Sequence, residues 1–463
     1  MSFKAIFLRV APYWLQDVAI SIYNAKLHRM RRAGSYRASR EYHARMAEAS
    51  SEHVQAESRA RLNRFLLFAK NKAAWYRAVN GVSLADFPVL EKKMLIEHLD
   101  QIATIDAKDA VVSLTGGTTG ASMKVFYTYD DTRERFAILD LFRESYGCRL
   151  GSKTAWFSGK SLASDKDVQR GRCYRDDLIN KIRFFSTFHI NQANFESYWS
   201  ALEAFAPEFI VGFPSSVYEI CRVAKERGLK AKHAVRVFFP TAETVLPVHR
   251  AVIGEVLGCR LVDQYASSEG APFILECPEG RLHIQPLTGI FEVVDESLRP
   301  SIEGEMLVTS FTTHGTPLIR YRIGDRIALA PSDVRCVCGS SSPIVKWIEG
   351  RTSDFIWSPD TGRVNLGNVS NCTKDVAGIV CFQVLQDSES AVHVKVVANE
   401  RFDSEQRTRF LQEMRLRLGD TMQVTLECVD DIPRERSGKF RIVKNTMPAR
   451  VADEALVAPD AAP

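Results

Sequence analysis

Two glycine-containing runs, far apart in the sequence, carry residue types suited to handling a nucleotide. The first, at 114–124, is a Gly/Thr-rich turn between two apolar runs with the pattern of strands, 111–114 and 125–128. Its backbone N–H groups and hydroxyls can cradle a polyphosphate. The second, at 433–441, holds Lys439 in a Ser-Gly setting, where a lysine is a mobile point charge. Together the two runs predict a nucleotide held by one domain and a cation delivered by another.

Three further segments lie between these runs, at 264–270, 320–325 and 350–354. In chain order, the five segments resemble the phosphate loop, the adenine and magnesium segment, the ribose segment, the hinge and the catalytic-lysine loop of the adenylate-forming (ANL) superfamily. Within it, the chain is most similar to the phenylacetate–CoA ligase-like branch, which includes proteins encoded with capsular polysaccharide pathways. The long, basic, helical N-terminal section and a set of Cys and His residues favour this branch.

The resemblance implies ATP-dependent conversion of a carboxylic acid to an acyl-adenylate with release of pyrophosphate. Lys439 would bridge the carboxylate and the α-phosphate, and Glu269 would hold Mg²⁺, so these two are the predicted catalytic residues. Such a site needs cations more than bases, because negative charge accumulates on the phosphates. The predicted ATP- or AMP-binding residues are Thr115, Gly116, Gly117, Thr118, Thr119, Gly120, Lys124, Ala242, Glu243, Tyr265, Ser268, Asp325 and Arg351.

The acyl pocket is predicted between the strand end at 238–241 and the segment 211–216, within reach of Tyr218. By the resemblance, 241–243 stands where the superfamily backs adenine and substrate. Their aromatic residues indicate a planar or apolar acid, although Phe is more often a core residue than a ligand contact. The predicted pocket residues are Phe213, Pro214, Ser215, Tyr218, Phe239 and Thr241.

Four metal-ligand types occur in a Cys-x5-His and Cys-x-Cys arrangement, formed by Cys277, His283, Cys336 and Cys338. Three thiolates and one imidazole complete a closed tetrahedral Zn²⁺ site, which leaves no open position for a substrate. Zinc here would therefore be structural and would staple two loops beside the active site, as the resemblance also implies for some members of the branch. The alternative is a set of buried or unpaired thiols.

The length of 463 residues and the hydrophobic content of 45% indicate a large core and two domains. Alternating strand and helix patterns over 111–265 predict a layered α/β fold, and strand patterns over 280–350 predict a β-rich subdomain. We expect a large domain over 1–350, of which 1–110 is a helical section, a small mobile α+β domain over 351–447, and a disordered tail over 448–463.

The net charge is +5, and residues 1–50 hold nine Lys/Arg against three Asp/Glu, so the basic character is local. Val10, Trp14, Val18 and Ile22 form an apolar stripe at helical spacing beside basic residues. The favoured interpretation is a helix that packs on its own domain with a solvated basic flank. The alternative, peripheral membrane contact, is not favoured, and the absence of interleaved exposed aromatics argues against nucleic-acid binding.

No stretch approaches the ~20 apolar residues that span a bilayer, and the N-terminal residues lack a continuous apolar run before a small-residue cleavage site, so we expect a cytoplasmic protein with reduced cysteines. In a P-loop signature the lysine directly follows the glycine, whereas Lys124 lies four residues after Gly120, which argues against a P-loop NTPase. For the second half-reaction three acceptors stay open: CoA, a carrier-protein thiol, or an amine on a sugar or amino acid. The other functional class is a nucleotide-binding scaffold without turnover.

Overall fold

The computed structural model describes residues 11–116, 122–159, 162–190, 192–243, 245–349, 355–365, 369, 371–373, 376–432 and 442–447. Helices cluster at the N-terminus and then alternate with strands. The α-helices are α1 Tyr13–Arg32, α2 Tyr36–Ala47, α3 Ser51–Lys72, α4 Lys92–Glu97, α5 Leu99–Ile102, α6 Tyr129–Ser145, α7 Asp165–Gln169, α8 Phe195–Phe205, α9 Pro214–Glu226, α10 Pro247–Leu257 and α11 Ser404–Leu418. Short 3₁₀ helices lie at Ala74–Tyr76, Leu84–Asp86, Ala107–Asp109 and Asn371–Thr373.

The first half of the chain supplies a hairpin and a largely parallel sheet. The strands are β1 Val111–Gly116, β2 Ser122–Tyr127, β3 Thr154–Ser158, β4 Tyr174–Asp177, β5 Ile182–Ser186, β6 Phe209–Gly212, β7 Val237–Pro240 and β8 Arg260–Leu261. β1 and β2 form an antiparallel hairpin. The other six form one sheet in the order β4-β5-β3-β6-β7-β8, parallel except at β4.

Alternate residues of the parallel strands point into two different cores. Ile210 and Phe238 pack with α8, α9 and α10, whereas Val211 and Phe239 pack against the other face with Phe142 of α6. Helices therefore cover both faces of the sheet, as buried parallel strands require. The predicted layered α/β domain is confirmed.

Antiparallel strands follow, and the predicted strand-rich segment over 280–350 forms part of one seven-stranded sheet. The strands are β9 Gln264–Tyr265, β10 Ile274–Glu276, β11 Leu282–Ile284, β12 Gly289–Val294, β13 Glu303–Ser310, β14 Tyr321–Leu329 and β15 Ile344–Glu349, in the order β12-β13-β14-β15-β11-β10-β9. This sheet packs on the N-terminal helices and on the β1–β2 hairpin, because Phe65, Leu66, Val125, Met306 and Ile319 share one core.

The last strands surround a separate small core. They are β16 Phe355–Ser358, β17 Gly362–Asn365, β18 Ile379–Gln386, β19 Ala391–Ala398, β20 Gln423–Cys428 and β21 Val443–Asn445. β18 to β21 form a mixed sheet in the order β20-β19-β18-β21, and α11 buries Phe410, Met414 and Leu418 against it. Asp403 begins α11 by accepting the backbone N–H of Gln406 at 2.9 Å, the usual role of an N-cap carboxylate.

Helix α1 packs on its own domain, as favoured, but with the opposite face to the one that the sequence indicated. Gln16, Asp17 and Ser21 are the buried residues of the helix. Trp14 and Ile22 are 66% and 63% exposed. The interpretation of the apolar stripe as the packing face was therefore wrong, because Arg172, just before β4, and Arg175, on β4, pair with the polar side of the helix.

Candidate active site

One cleft of about 1280 Å³ gathers residues from segments that are distant in the sequence. Its walls come from α1, the β1–β2 hairpin, α6, the loops after β6 and β7, the 263–269 segment, β14 and β15. The predicted site residues that line it are Phe213, Thr241, Ala242, Glu243, Tyr265, Ser268, Glu269 and Asp325.

Tyr265 and Asp325 meet in this cleft. The Tyr265 hydroxyl donates to Asp325 Oδ2 at 2.8 Å, and the Tyr265 ring lies 6.3 Å from that of Phe291, centroid to centroid. Tyr265 lies on β9 at one edge of the seven-stranded sheet and Asp325 on the interior strand β14. The fold thus brings together the two residues predicted for adenine and ribose.

Glu269 is held at the cleft by a tightly fixed loop. The carbonyl oxygen of Ser268 accepts hydrogen bonds from Ser113 Oγ at 2.9 Å and from Tyr127 Oη at 3.0 Å. Gly270 has φ +105°, and a Cβ there would lie 2.5 Å from Thr313 Cγ2, so only glycine fits. Glu269 lines the cleft although it is only 8% exposed. The β1–β2 hairpin and the predicted metal-binding carboxylate are therefore one connected unit.

The turn after β7 is held in an uncommon backbone conformation. Ala242 has φ +65°, in the left-handed region that non-glycine residues rarely enter. Glu243 accepts both the backbone N–H and the hydroxyl of Ser215, at 3.1 and 3.0 Å. Its carboxylate thereby sits at the N-terminus of α9, where the helix dipole favours a negative charge. Glu243 and Ser215 fix the two loops to each other at the cleft wall.

Four of the six predicted pocket residues, Pro214, Ser215, Tyr218 and Phe239, do not line the cleft. Phe239 is fully buried against Phe142, and Tyr218 packs against the His249 ring at 5.3 Å. Pro214 is the buried first residue of α9, where proline suits the first helical turn. Within the part of the chain that the structure describes, Phe213 and Thr241 are the members of the predicted acyl set that face the cleft, while Ser215 supports the wall.

The polyphosphate-binding residues are only partly described. Thr115 and Gly116 end β1, and Lys124 is exposed on β2 opposite Leu114 in the hairpin. Lys124 is absent from the described cleft lining, so its role stays a prediction. The remaining predicted residues, Gly117, Thr118, Thr119, Gly120, Arg351 and Lys439, lie outside the described residues.

Several cleft residues gave no signal in the sequence. Arg31 reaches the cleft from α1 and lies 4.6 Å above the Phe136 ring. Asp263 is partly open to the cleft but otherwise surrounded by protein, and this burial raises its pKa to about 6, against the nearby Arg250. These residues belong to no sequence motif, because they join the site only through tertiary packing.

Beside the cleft, Cys277, His283, Cys336 and Cys338 place their ligand atoms within 4.8 Å of one another. The Sγ atoms of Cys277 and Cys336 are 3.8 Å apart, and Cys338 Sγ is 3.6 Å from His283 Nε2. The predicted convergence of these four side chains is confirmed. Residues 280–282 and 330–331, on the two loops that the cluster joins, line the cleft.

The cluster has the donor chemistry of a zinc centre. His283 Nδ1 lies 3.1 Å from the carbonyl oxygen of Ser342, which fixes the ring with Nε2 directed at the thiols. Burial opposes ionisation of Cys336, but the backbone N–H of Cys338 and hydrogen bonds from the neighbouring thiols lower its pKa to about 7. Three thiols and one oriented imidazole match the ligand set of a closed Zn²⁺ site.

The C-terminal part of the chain matches a family model described as the CapK C-terminal domain, over residues 356–446. Protein CapK of Staphylococcus aureus is 30% identical over 375 residues, which are 80% of this chain and 82% of that protein. Phenylacetate-coenzyme A ligase of Thermus thermophilus is 25% identical over 441 residues, covering 85% and 96% of the two chains. Indoleacetate–lysine synthetase of Pseudomonas savastanoi is 23% identical over 264 residues, covering 54% and 62%.

The fold resembles that of a solved ligase. The crystal structure of 2-hydroxyisobutyryl-CoA ligase, in complex with 2-HIB-AMP and CoA, superimposes with a TM-score of 0.54 over 88% of this chain and 92% of that chain. The sequence identity is 18%, so the likeness concerns the fold alone. It confirms a mixed α/β architecture in which a small C-terminal unit follows a large layered one.

Proposed function

Because the chain belongs to the CapK family of adenylate-forming ligases, we propose that it activates a small carboxylic acid with ATP and then transfers the acyl group to a thiol such as that of CoA. The observation that carries this proposal is the 2.8 Å hydrogen bond between Tyr265 and Asp325, in the cleft that Glu269 also lines. Two segments that resemble the superfamily's adenine, magnesium and ribose segments thus share one cavity.

The first half-reaction would join the acid to AMP. A carboxylate oxygen attacks the α-phosphorus, the bond to the pyrophosphate oxygen breaks, and acyl-AMP and pyrophosphate result. The protein's task is to hold the two anions together and to offset the charge that grows on the phosphates. Tyr265 and Asp325 would bind the adenosine part, and Phe213 and Thr241 would contact the acid.

Glu269 would hold Mg²⁺, since a buried carboxylate that lines the cleft offers the oxygen ligands that this ion prefers. When bound, Mg²⁺ neutralises charge on the phosphates. The glycine- and threonine-rich turn and Lys124 would bind the pyrophosphate group. Arg351 would bind phosphate, and Lys439 would bridge the carboxylate and the α-phosphate. The order of the motifs in the sequence supports these two assignments.

In the second half-reaction, a thiolate attacks the acyl carbon, a thioester forms, and AMP leaves. The relation to a phenylacetate-coenzyme A ligase favours CoA as the acceptor. The second candidate acceptor is an amine, favoured by the relation to an indoleacetate–lysine synthetase. A carrier-protein thiol would react in the same way as CoA.

We further propose that Zn²⁺ occupies the cluster of Cys277, His283, Cys336 and Cys338. Four protein ligands leave no position for a substrate, so the ion would be structural. It would fix the 277–283 loop to the 336–338 loop, and both loops adjoin the cleft. The metal would thus stabilise one wall of the active site.

Exchange of labelled pyrophosphate into ATP, measured over a panel of aryl, aliphatic and amino acids, tests the first half-reaction without knowledge of the acceptor. We expect one class of acid to support exchange. Glu269→Gln should lower the exchange rate by on the order of 10² or more, as for loss of a group that stabilises transition-state charge. Glu303→Gln, an exposed carboxylate at the start of β13, is the matched control and should leave the rate unchanged.

Absence of exchange with every acid, in a protein that still binds ATP, would support the non-catalytic scaffold instead. With the acid identified, adding CoA or a panel of amines separates the two acceptor candidates by the product formed. A thioester supports the leading proposal, and an amide supports the alternative.

A further inference from the structure

Helix α1 presents apolar side chains to solvent and polar side chains to the protein. Trp14, Val18, Ile22 and Tyr23 are 66%, 36%, 63% and 62% exposed. An ordinary surface helix has the reverse arrangement, with its apolar stripe packed on the core. The outward stripe of α1 is therefore a surface that the fold itself does not use.

The orientation of α1 is fixed by buried polar contacts. Asp17 accepts hydrogen bonds from the Arg172 guanidinium and, at 3.0 Å, from the backbone N–H of Asp176. Gln16 Oε1 accepts Arg175 Nε at 2.7 Å. Turning the helix over to bury the stripe would leave these buried groups without partners, which is costly.

The neighbouring turn between β4 and β5 extends the apolar surface. The backbone N–H of Leu178 donates to Ser21 Oγ at 2.9 Å, so this turn lies directly beside α1. Leu178 and Ile179 are 62% and 58% exposed. Single exposed apolar residues are normal, whereas a contiguous set marks an interaction surface. We call this set the docking patch, and its members are Trp14, Val18, Ile22, Tyr23, Leu178 and Ile179.

Cations accompany the docking patch. Lys26 and Arg29 continue the exposed side of α1, and Lys181 follows the apolar pair in the β4–β5 turn. Among the described residues, no ion pair joins these three cations to a carboxylate.

The carboxylates of α1 and β4 are engaged by partners within the protein. Asp17 pairs with Arg172, and Asp176 accepts Arg183 Nε at 2.7 Å. Asp177 is buried and accepts the side-chain amide of Asn180 at 2.8 Å. The patch is therefore apolar at its centre and positive at its edge, and the described carboxylates of α1 and β4 are already paired.

We propose that the docking patch binds the surface of an anionic lipid bilayer. Aliphatic side chains at a turn tip, Trp and Tyr on one helix, and flexible cations beside them are the features of segments that lie in the membrane interface. Among the described helices, none combines the length and the apolarity that crossing a bilayer needs. This inference does not depend on the adenylation chemistry.

Docking would also orient the cleft. Arg31 lies on the same helix as the patch, near its C-terminal end, and lines the cleft. Helix α1 therefore connects the docking patch to the wall of the cleft. A substrate or acceptor held at the bilayer surface would meet the cleft from this side.

Co-sedimentation of the full chain with vesicles tests the proposal. Vesicles of phosphatidylcholine with phosphatidylglycerol should bind the protein, vesicles of phosphatidylcholine alone should bind it less, and added salt should weaken the binding. Ile22→Glu and Leu178→Glu should each lower the bound-to-free ratio by about tenfold or more, because a charge replaces an inserted apolar group. Ile302→Glu is the matched control, because Ile302 lies just before β13 and is as exposed as Ile22. This variant should bind vesicles as the natural chain does.

Circular dichroism and pyrophosphate exchange should be unchanged in all three variants, since none lies in the cleft lining. Equal binding by Ile22→Glu, Leu178→Glu and the natural chain would overturn the proposal, as would failure of the natural chain to bind anionic vesicles. Analytical ultracentrifugation tests whether a second copy of the chain binds the docking patch instead. If the natural chain forms a dimer that Ile22→Glu dissociates, and does not bind vesicles, the patch is a dimer interface and the proposal is overturned.

Discussion

At the scale of single residues, the most specific claim concerns Lys439, which would bring a positive charge to the α-phosphate. Lys439→Ala should leave ATP binding largely intact and lower pyrophosphate exchange by on the order of 10² or more, because the lysine's partners are on the substrates and not in the core. Equilibrium binding of ATP and the exchange rate measure the two effects separately.

Lys444→Ala is the matched control for this variant, since Lys444 lies on β21 shortly after the predicted lysine loop. It should retain the exchange rate of the natural chain. Normal exchange by Lys439→Ala, with the true acid present, would remove Lys439 from the catalytic machinery.

Asp263 gives the cleft a pH-dependent carboxyl group. Burial raises its pKa to about 6 in the folded protein, whereas an unperturbed aspartate ionises near pH 4. The folded state thus binds more protons than the unfolded state between these values, so this group's contribution to the free energy of unfolding falls as pH rises from about 4 through 6. Asp263→Asn should remove that decline and raise the melting temperature more at pH 7 than at pH 5.

Thermal unfolding of both chains at the two pH values measures this difference. The exposed Asp333→Asn is the control and should follow the natural chain at each pH. If Asp263→Asn changed the melting temperature by the same amount at both pH values, ionisation of Asp263 would not affect stability.

At the scale of elements, the Cys/His cluster predicts a metal-dependent pair of loops. Elemental analysis should find near one equivalent of Zn²⁺ per chain, with the metal lost from the Cys336→Ser, Cys338→Ser double variant. Because metal binding is coupled to folding of the loops, the melting temperature should fall by about 5 °C or more.

Cys428→Ser, at an exposed cysteine on β20, should keep both the zinc and the melting temperature. Protein without zinc that has the melting temperature and exchange rate of the zinc-bound form would refute a structural metal at this cluster.

Local sequence signals predicted many elements because their causes are local. Helix α11 is an example, because Asp403 caps its beginning and Gly419 lies at its end. The orientation of α1 could not be read in this way. Helical spacing identified the stripe of Trp14, Val18 and Ile22. The direction of the stripe, however, depends on Arg172 and Arg175, which are distant in the sequence.

The same distinction applies to the site. The motif order identified Tyr265, Glu269 and Asp325, and these three residues do line one cleft. Arg31 and Asp263 joined the cleft through packing between elements and carried no motif. Phe239 was proposed for the pocket from its strand end, but the alternation of β7 turns its side chain into the core.

At the scale of the whole molecule, the small core around β18 to β21 is separate from the cores around the cleft. Lys439 follows the hinge-like segment 350–354 in the sequence, whereas Glu269 precedes it. We therefore expect the C-terminal unit to close for adenylation and to rotate for acyl transfer, a hinge motion about a few backbone torsions. The boundary near residue 350 stays a prediction.

The central claim is that the acid is activated at the α-phosphorus of ATP. The acid that supports exchange, labelled with ¹⁸O in its carboxylate, is incubated with ATP, enzyme and hydroxylamine as a general acceptor, and the phosphorus-containing products are analysed by mass spectrometry. The account predicts a hydroxamate together with AMP that carries a single ¹⁸O atom, because the attacking carboxylate oxygen remains on the phosphorus when the acyl group leaves. Label in inorganic phosphate with formation of ADP, or unlabelled AMP, would contradict the account.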